Sequence, residues 1–383
     1  MIARIIIVIV SIILLSSIYF DYSFLRPSRY RWVLRLLWLL PAAAIYATAD
    51  QARQRDYFPD DIEQLYRYLD LLFLLIIPFV LFCLCSFVGR LCKRRKAGNA
   101  VGIALALMGA AGYVYGKEVG FHKVEVNHVE IAFSDLPPAF DGYRIVQFSD
   151  LHVGTYTGSR EAILQRAVDS INAQQADLIV FTGDLQNKQP GELEPHTRLL
   201  STLKARDGIY SVLGNHDYSM YIDTDDDPTL AYTNLERLCE LQEKMGWHVL
   251  MNYHRYIHRG QDSIVIAGME NDGEGRFPQK GEIQRTLWSV SRDQFIVMLE
   301  HDPTAWRRKI LPQCHAQLTL SGHTHGGQLS LLGFSPAAFR YKEYDGLYQM
   351  GPRALYVSRG VGGVLPFRLG ATGEIVVITL RKK

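Results

Sequence analysis

Five times in this chain an apolar run that reads as a strand stops abruptly in residues that ligate metals. Tyr143–Phe148 runs into Ser149-Asp150-Leu151-His152, Leu178–Phe181 into Thr182-Gly183-Asp184, and Ile209–Leu213 into Gly214-Asn215-His216-Asp217. Further on, Gln294–Leu299 runs into Glu300-His301-Asp302-Pro303, and Gln317–Leu320 into Ser321-Gly322-His323-Thr324-His325. Short, wholly apolar runs bounded by such turns are strands covered on both faces. Ser159–Asn172 has helical spacing, with Ile163, Leu164, Ala167 and Ile171 on one side, and Leu193–Leu203 reads as a helix as well. Strand, ligand-rich turn and helix in repetition imply an α/β domain with a layered sheet and helices on both faces. Folds of this kind gather ligands at the carboxyl ends of their strands.

The remaining elements fit the same scheme. Val124–Phe133 alternates as an early strand, Asn234–Met245 is a helix, and Ile264–Ala267 is a strand. Pro303 opens a short basic helix, Thr304–Ile310, as proline does at a first helical position. Leu355–Ser358 and Glu374–Leu380 close the domain as strands.

The strand ends deliver Asp150, His152, Asp184, Asn215, His216, His301, His323 and His325. Carboxylates bridge cations, imidazoles suit Zn, Fe, Mn or Ni, and an amide oxygen adds a neutral ligand. That set is too rich for one tetrahedral ion. Two metals about 3.5–4 Å apart, sharing one carboxylate, would use nearly all of it, and such a pair suits in-line attack on a phosphorus ester. His323 and His325 lie two residues apart between glycines that permit a tight turn. Asp217 either orients His216 or caps a turn, Glu300 reads as a solvated neighbour, and the acidic run Asp223, Asp225, Asp226, Asp227 lacks the spacing of a calcium loop. The apolar loop Gly362–Leu369 reads as packing near the site rim, with an acyl-chain or bilayer contact as the alternative. The other histidines, His122, His128, His196, His248, His254, His258 and His315, carry no such pattern.

A net charge of +2 and the lack of a basic stripe in the last two thirds of the chain give no footprint for nucleic acid. The five cysteines show no metal-type spacing, and a bridge between Cys239 and Cys314 is left open.

Residues 1–116 are of another kind. Ile2–Phe20, Val33–Ala49, Leu71–Val88 and Ala97–Tyr115 are apolar segments near the roughly 17–25 residues of a spanning helix. They imply a membrane region of about four transmembrane helices before a domain over 117–383. Arg26, Arg29, Arg31 and Arg35 follow the first span, and Arg90, Lys93, Arg94, Arg95 and Lys96 follow the third. The loop between spans two and three carries Arg53, Arg55 and Arg67 against Asp50, Asp56, Asp60, Asp61, Glu63 and Asp70. The positive-inside rule then puts both termini and the catalytic domain outside the cytoplasm of a multi-pass plasma or inner membrane protein. The near absence of charge within the spans argues for an anchor over a transport pathway.

In this order, DLH, GDL, GNHD, a later HD and GHTH resemble the calcineurin-like metallophosphoesterases. PPAFDGYRIVQFSDLHVG, LEHDPTAW and GHTHGGQ are similar to the membrane-associated branch of that superfamily. The resemblance covers about residues 125–380. It implies a four-layer αββα sandwich and two divalent metals. Asp150, His152, Asp184 and His325 would hold one ion, and Asp184, Asn215, His301 and His323 the other, with Asp184 bridging. His216 would stabilise the transition state and protonate the leaving alkoxide. The implied substrates are phosphorylated small molecules or lipids, including envelope-derived pyrophosphates such as UDP-2,3-diacylglucosamine. The alternative is a membrane sensor or scaffold whose metal domain binds a phosphorylated ligand without turnover.

Overall fold

The computed structural model describes residues 2–36, 39, 46, 59–222 and 227–383. Most of the expected span Val33–Ala49, and the acids Asp223, Asp225 and Asp226, lie outside the described residues. The chain divides into two compact units, Met1–Gly116 and Lys117–Lys383.

In the first unit Ile2–Phe20 is helical throughout. Two helical stretches, Leu65–Leu91 and Arg95–Gly120, are long and apolar enough to cross a membrane, and Ser11–Leu25 is a shorter apolar one. Leu65–Leu91 and Arg95–Gly120 approach closely at glycines. A Cβ on Gly89 would overlap Gly98, and one on Gly102 would crowd Phe82. Small residues of this kind let apolar helices pack without a hydrophobic driving force. Ser86 links the helices by polar contacts, to Tyr19 Oη at 2.8 Å and to Asn99 Oδ1 at 2.6 Å.

The second unit holds two six-stranded sheets. The first comprises β1 (Val124–Phe133), β2 (Arg144–Phe148), β3 (Leu178–Thr182), β4 (Ile209–Val212), β5 (Trp247–Val249) and β12 (Gly373–Lys382), in the order β1-β12-β2-β3-β4-β5. The second comprises β6 (Tyr253–Arg259), β7 (Asp262–Gly268), β8 (Phe295–Leu299), β9 (Leu318–Ser321), β10 (Gly346–Met350) and β11 (Arg353–Val357), in the order β10-β11-β9-β8-β7-β6. β2 to β5 are parallel, as are β7, β8, β9 and β11. The loops after β2, β3 and β4, and those after β8 and β9, therefore leave from equivalent ends of their sheets.

Side chains along the central strands alternate between two cores, as strand geometry requires. In β3, Leu178 and Val180 join a core that also holds Ile264, Val297 and Leu320 of the second sheet. Ile179 and Phe181 point the other way, into a core with Ile163, Leu164, Ala167 and Ile171 of the helix Glu161–Ala173 and Leu238 and Leu241 of the helix Leu230–Lys244. The second sheet has its own outer core around Trp306 and Ile310. The two sheets thus share one core and each has a second core of its own, so helices do not cover both faces of a sheet as expected.

One further expectation changes, and one open question is answered. Only Thr197–Leu200 of Leu193–Leu203 is α-helical, because Pro195 limits what precedes it to short 3₁₀ turns. Cys239 and Cys314 are both free thiols.

Candidate metal centre

The loops after β2, β3, β8 and β9 converge, and the turn after β4 joins them. Asp150, His152, Asp184 and His325 each offer a ligand atom within 4.8 Å of the others, and so do Asp184, His301 and His323. Asp184 belongs to both groups. Its Oδ2 lies 3.6 Å from His152 Nε2 on one side and 3.2 Å from His301 Nε2 on the other. His325 Nε2 stands 3.5 Å from Asp150 Oδ1, and His323 Nδ1 stands 3.2 Å from His301 Nε2.

The backbone is forced to bring these groups together. Asp150, His152, Asp184, His323 and His325 all have φ between 50° and 74°, the left-handed region that side chains seldom adopt. Such conformations persist only where surrounding structure imposes them. Here the imposing contacts are visible. Asp150 N–H donates to Gly183 O and His152 N–H to Asp184 O. His323 N–H donates to the Asp150 carboxylate at 3.1 Å, joining the two sheets. Gly322 has no room for a Cβ, which would run into Ser149 and Asp150.

Asp217 fastens the first-sheet side. Its carboxylate accepts from the N–H groups of Gly214, Asp184, Leu185 and Gln186 at 2.8–3.3 Å. Of the two roles open from the sequence, turn cap is the one the contacts support. His216 N–H donates to Asp184 Oδ1 at 2.8 Å, and its Nδ1–H donates to Asn187 O at 2.7 Å. Its ring stacks on Tyr221 with centroids 4.3 Å apart. His301 Nδ1–H donates to Thr182 O at 2.7 Å, which turns Nε2 toward Asp184.

The site fits cations. Both ring nitrogens of His152, Nδ1 of His325 and Oδ1 of Asn215 are buried without a hydrogen-bond partner, an arrangement that is costly unless something binds there. Burial pushes His152 down to about 3 and His323 down to about 4, so both imidazoles are neutral, the form that ligates. Burial also pushes Asp150 up to about 7. Asp184 falls well below its ordinary value: burial opposes this, but the neighbouring His301, His216 and His152 outweigh it. His301 rises to about 10 despite burial, because Asp184 and Asp150 hold a proton on it. A buried cluster of acids and imidazoles with a proton held on His301 has the charge distribution that divalent ions would satisfy.

A family model described as calcineurin-like phosphoesterase matches residues 143–327. A zebrafish (Danio rerio) protein named "Transmembrane protein with metallophosphoesterase domain" is 32% identical over 335 residues, covering 82% of this chain and 71% of its own length. The Bacillus subtilis (strain 168) protein named "Uncharacterized metallophosphoesterase YkuE" is 33% identical over 284 residues, 72% of this chain and 92% of its own. This chain belongs to the calcineurin-like phosphoesterases. It is accordingly a metal-dependent phosphoesterase with clustered Asp and His side chains able to bind metal ions.

Several residues around the phosphoesterase site escape sequence reasoning. Asp302 Oδ2, buried and without a hydrogen-bond partner, lies 3.5 Å from His323 Nε2, and Tyr341 Oη lies 3.0 Å from the same nitrogen. Glu300 is fully buried, not solvated: its Oε1 accepts from the N–H groups of Asp272 and Asp302 and so shapes the His301 turn. Gln147, on the inner face of β2, donates from Nε2 to Ser321 O of β9 at 2.9 Å. An acid beside a histidine looks alike in sequence whether exposed or buried; only packing tells them apart.

Proposed function

We propose that this chain is a membrane-anchored phosphoesterase in which two divalent cations share Asp184. The observation that carries the reading is the membership of Asp184 in both ligand groups, with imidazoles 3.2 Å and 3.6 Å from the same oxygen. Asp150, His152 and His325 complete one set, and His301, His323 and the unpartnered amide oxygen of Asn215 the other. Two such cations supply Lewis-acid polarisation of a phosphoryl group and activation of water at neutral pH.

The protein's own residues do the rest. Hydrogen bonding of Nδ1 to Asn187 O leaves His216 Nε2 to exchange protons, and the stack on Tyr221 fixes the ring plane. Burial lowers the His216 pKa while Asp184 opposes that shift; the role proposed for His216 is to give a proton to a leaving alkoxide. The separate inner and outer cores support the four-layer αββα arrangement.

Anchoring rests on the two helices long and apolar enough to cross a membrane and on the name of the zebrafish relative. The multi-pass arrangement and the extracytoplasmic catalytic domain follow from the basic loops. An amphiphilic phosphate, such as a UDP-2,3-diacylglucosamine-like pyrophosphate, is the substrate class in keeping with an anchored site.

The test is hydrolysis of bis-p-nitrophenyl phosphate by the purified full chain loaded with Mn, Fe, Zn or Ni. Turnover with about two ions per chain is expected. A folded chain holding its metals and turning over nothing would leave a phosphate-binding module instead.

A further inference from the structure

The segment that follows His325, the last histidine of the metal site, carries an apolar finger that folding does not explain. Leu331 and Phe334 exchange N–H···O bonds at 2.9 and 3.0 Å, closing a two-residue hairpin over Leu332 and Gly333. Both central residues have positive φ, 53° for Leu332 and 80° for Gly333. A turn with that geometry favours Asn-Gly, since asparagine tolerates the left-handed region and leucine does not. Yet Leu332 stands at the tip with its side chain wholly in solvent, at 102% relative exposure. It buries nothing and strains the backbone. Leu331, Phe334 and Phe339 are exposed beside it, and the Phe334 and Phe339 rings meet edge to face at 5.3 Å.

The base of the finger, by contrast, is built into the site. Ser335 Oγ donates to Gly326 O at 2.7 Å, one residue beyond His325. Tyr341, which contacts His323, bonds through its N–H to Ala337 O at 2.8 Å. Arg340, exposed and 3.8 Å from the half-exposed carboxylate of Glu274, and the exposed Lys342 follow Phe339. The loop Gly362–Leu369 is a different case. Its Arg368 is buried and donates to the carbonyls of Ala371, Arg359, Gly360 and Gly362, which makes that loop packing.

We propose that Leu331, Leu332, Phe334 and Phe339 insert into the headgroup region of the bilayer, with Arg340 and Lys342 on anionic lipid, so that the metal centre works on phosphates held at the membrane surface. The inference rests on the membrane-anchored reading above. Three observations favour a bilayer as the occupant. Aliphatic and aromatic side chains flanked by cations are the composition of an interfacial insertion. Basic residues beside it match the negative surface potential of anionic lipid. The same chain supplies two helices long and apolar enough to cross a membrane, so a bilayer is the surface that the anchored reading already calls for.

The experiment uses the full chain in vesicles of phosphatidylcholine with a minority of phosphatidylglycerol, with and without bromine on the acyl chains. Tryptophan is placed by Phe339→Trp and, separately, by Leu332→Trp, and the emission of the unsubstituted protein is subtracted. Bromine should lower the added emission about twofold, as for a side chain roughly 5–10 Å into the headgroup–acyl boundary. Omission of phosphatidylglycerol should weaken the effect. Adding Leu332→Asn to Phe339→Trp should leave the melting temperature equal or higher while reducing the quenching. Emission indifferent to bromine, in protein that floats with vesicles and resists alkaline extraction, overturns this inference alone. Blue-shifted but unquenched emission, meaning that a second copy covers the finger, overturns it too. Protein extracted at alkaline pH overturns the anchor and this inference with it.

Discussion

Of the proposed ligands, the oxygen donors Asp150, Asp184 and Asn215 and the imidazole of His152 come from the loops of the first sheet, whereas the second sheet contributes the imidazoles His301, His323 and His325. The two sides are also held differently. On the first, backbone N–H groups point at carboxylates, with Asp217 alone accepting four of them. On the second, imidazoles are aimed by what their other nitrogen meets: Thr182 O for His301, and Asp302 with Tyr341 for His323. One side is a fixed pocket of negative charge. The other completes it only when the sheets are packed in register, and Asp184 Oδ2 is where they meet.

The largest consequence concerns that meeting point. Asp184→Ala should remove both metals together and abolish turnover, as read by metal content on the purified chain; a variant retaining one tightly held ion would break the idea of a shared ligand. His216→Ala keeps the N–H that donates to Asp184 and removes only a ring 4.7 Å from that of His152, so it should keep the metals while slowing hydrolysis by about 10²–10⁴-fold. The loss should shrink for a leaving group that needs no proton. An equal loss with both leaving groups would make His216 a structural or ligating residue.

Asp302→Asn probes the second side alone. It keeps the shape but removes the charge behind His323, and such partners of metal-bound histidines are worth about 10–100-fold in metal affinity. One of two ions should weaken by that factor in a titration, with the other unaffected; uniform weakening of both would show that the sides are not separable. The smallest effect belongs to the cross-sheet tie below the site. Gln147→Leu should cost about 1 kcal/mol in stability of the metal-free protein, since Ser321 O keeps its bond from Ser358 N–H. A much larger cost would mean that this tie sets the sheet register.

Much of the second unit is legible in sequence because its central strands are covered on both faces. Val180, Ile179 and their neighbours form unbroken apolar runs, and the residues that end them can only reach the strand ends. The edge strands are not legible in this way. β6, Tyr253–Arg259, buries only Ile257 and otherwise reads as a polar loop, and β10 and β5 are short edges of the same kind. The left-handed conformations at Asp150, His152, Asp184, His323 and His325 also have no sequence mark beyond the tolerance of Asp and His for them. Two apolar loops, GGVLPFRL and LLGFSPAAF, look alike on paper. A buried arginine makes the first a brace, and an exposed leucine with positive φ makes the second a finger.

The most direct test of the two-sided site is metal content and turnover measured on one preparation of the full chain, before and after chelation and re-addition of metal. About two ions per chain, lost and regained together with activity, is the predicted result. Full activity with a single ion per chain would contradict it.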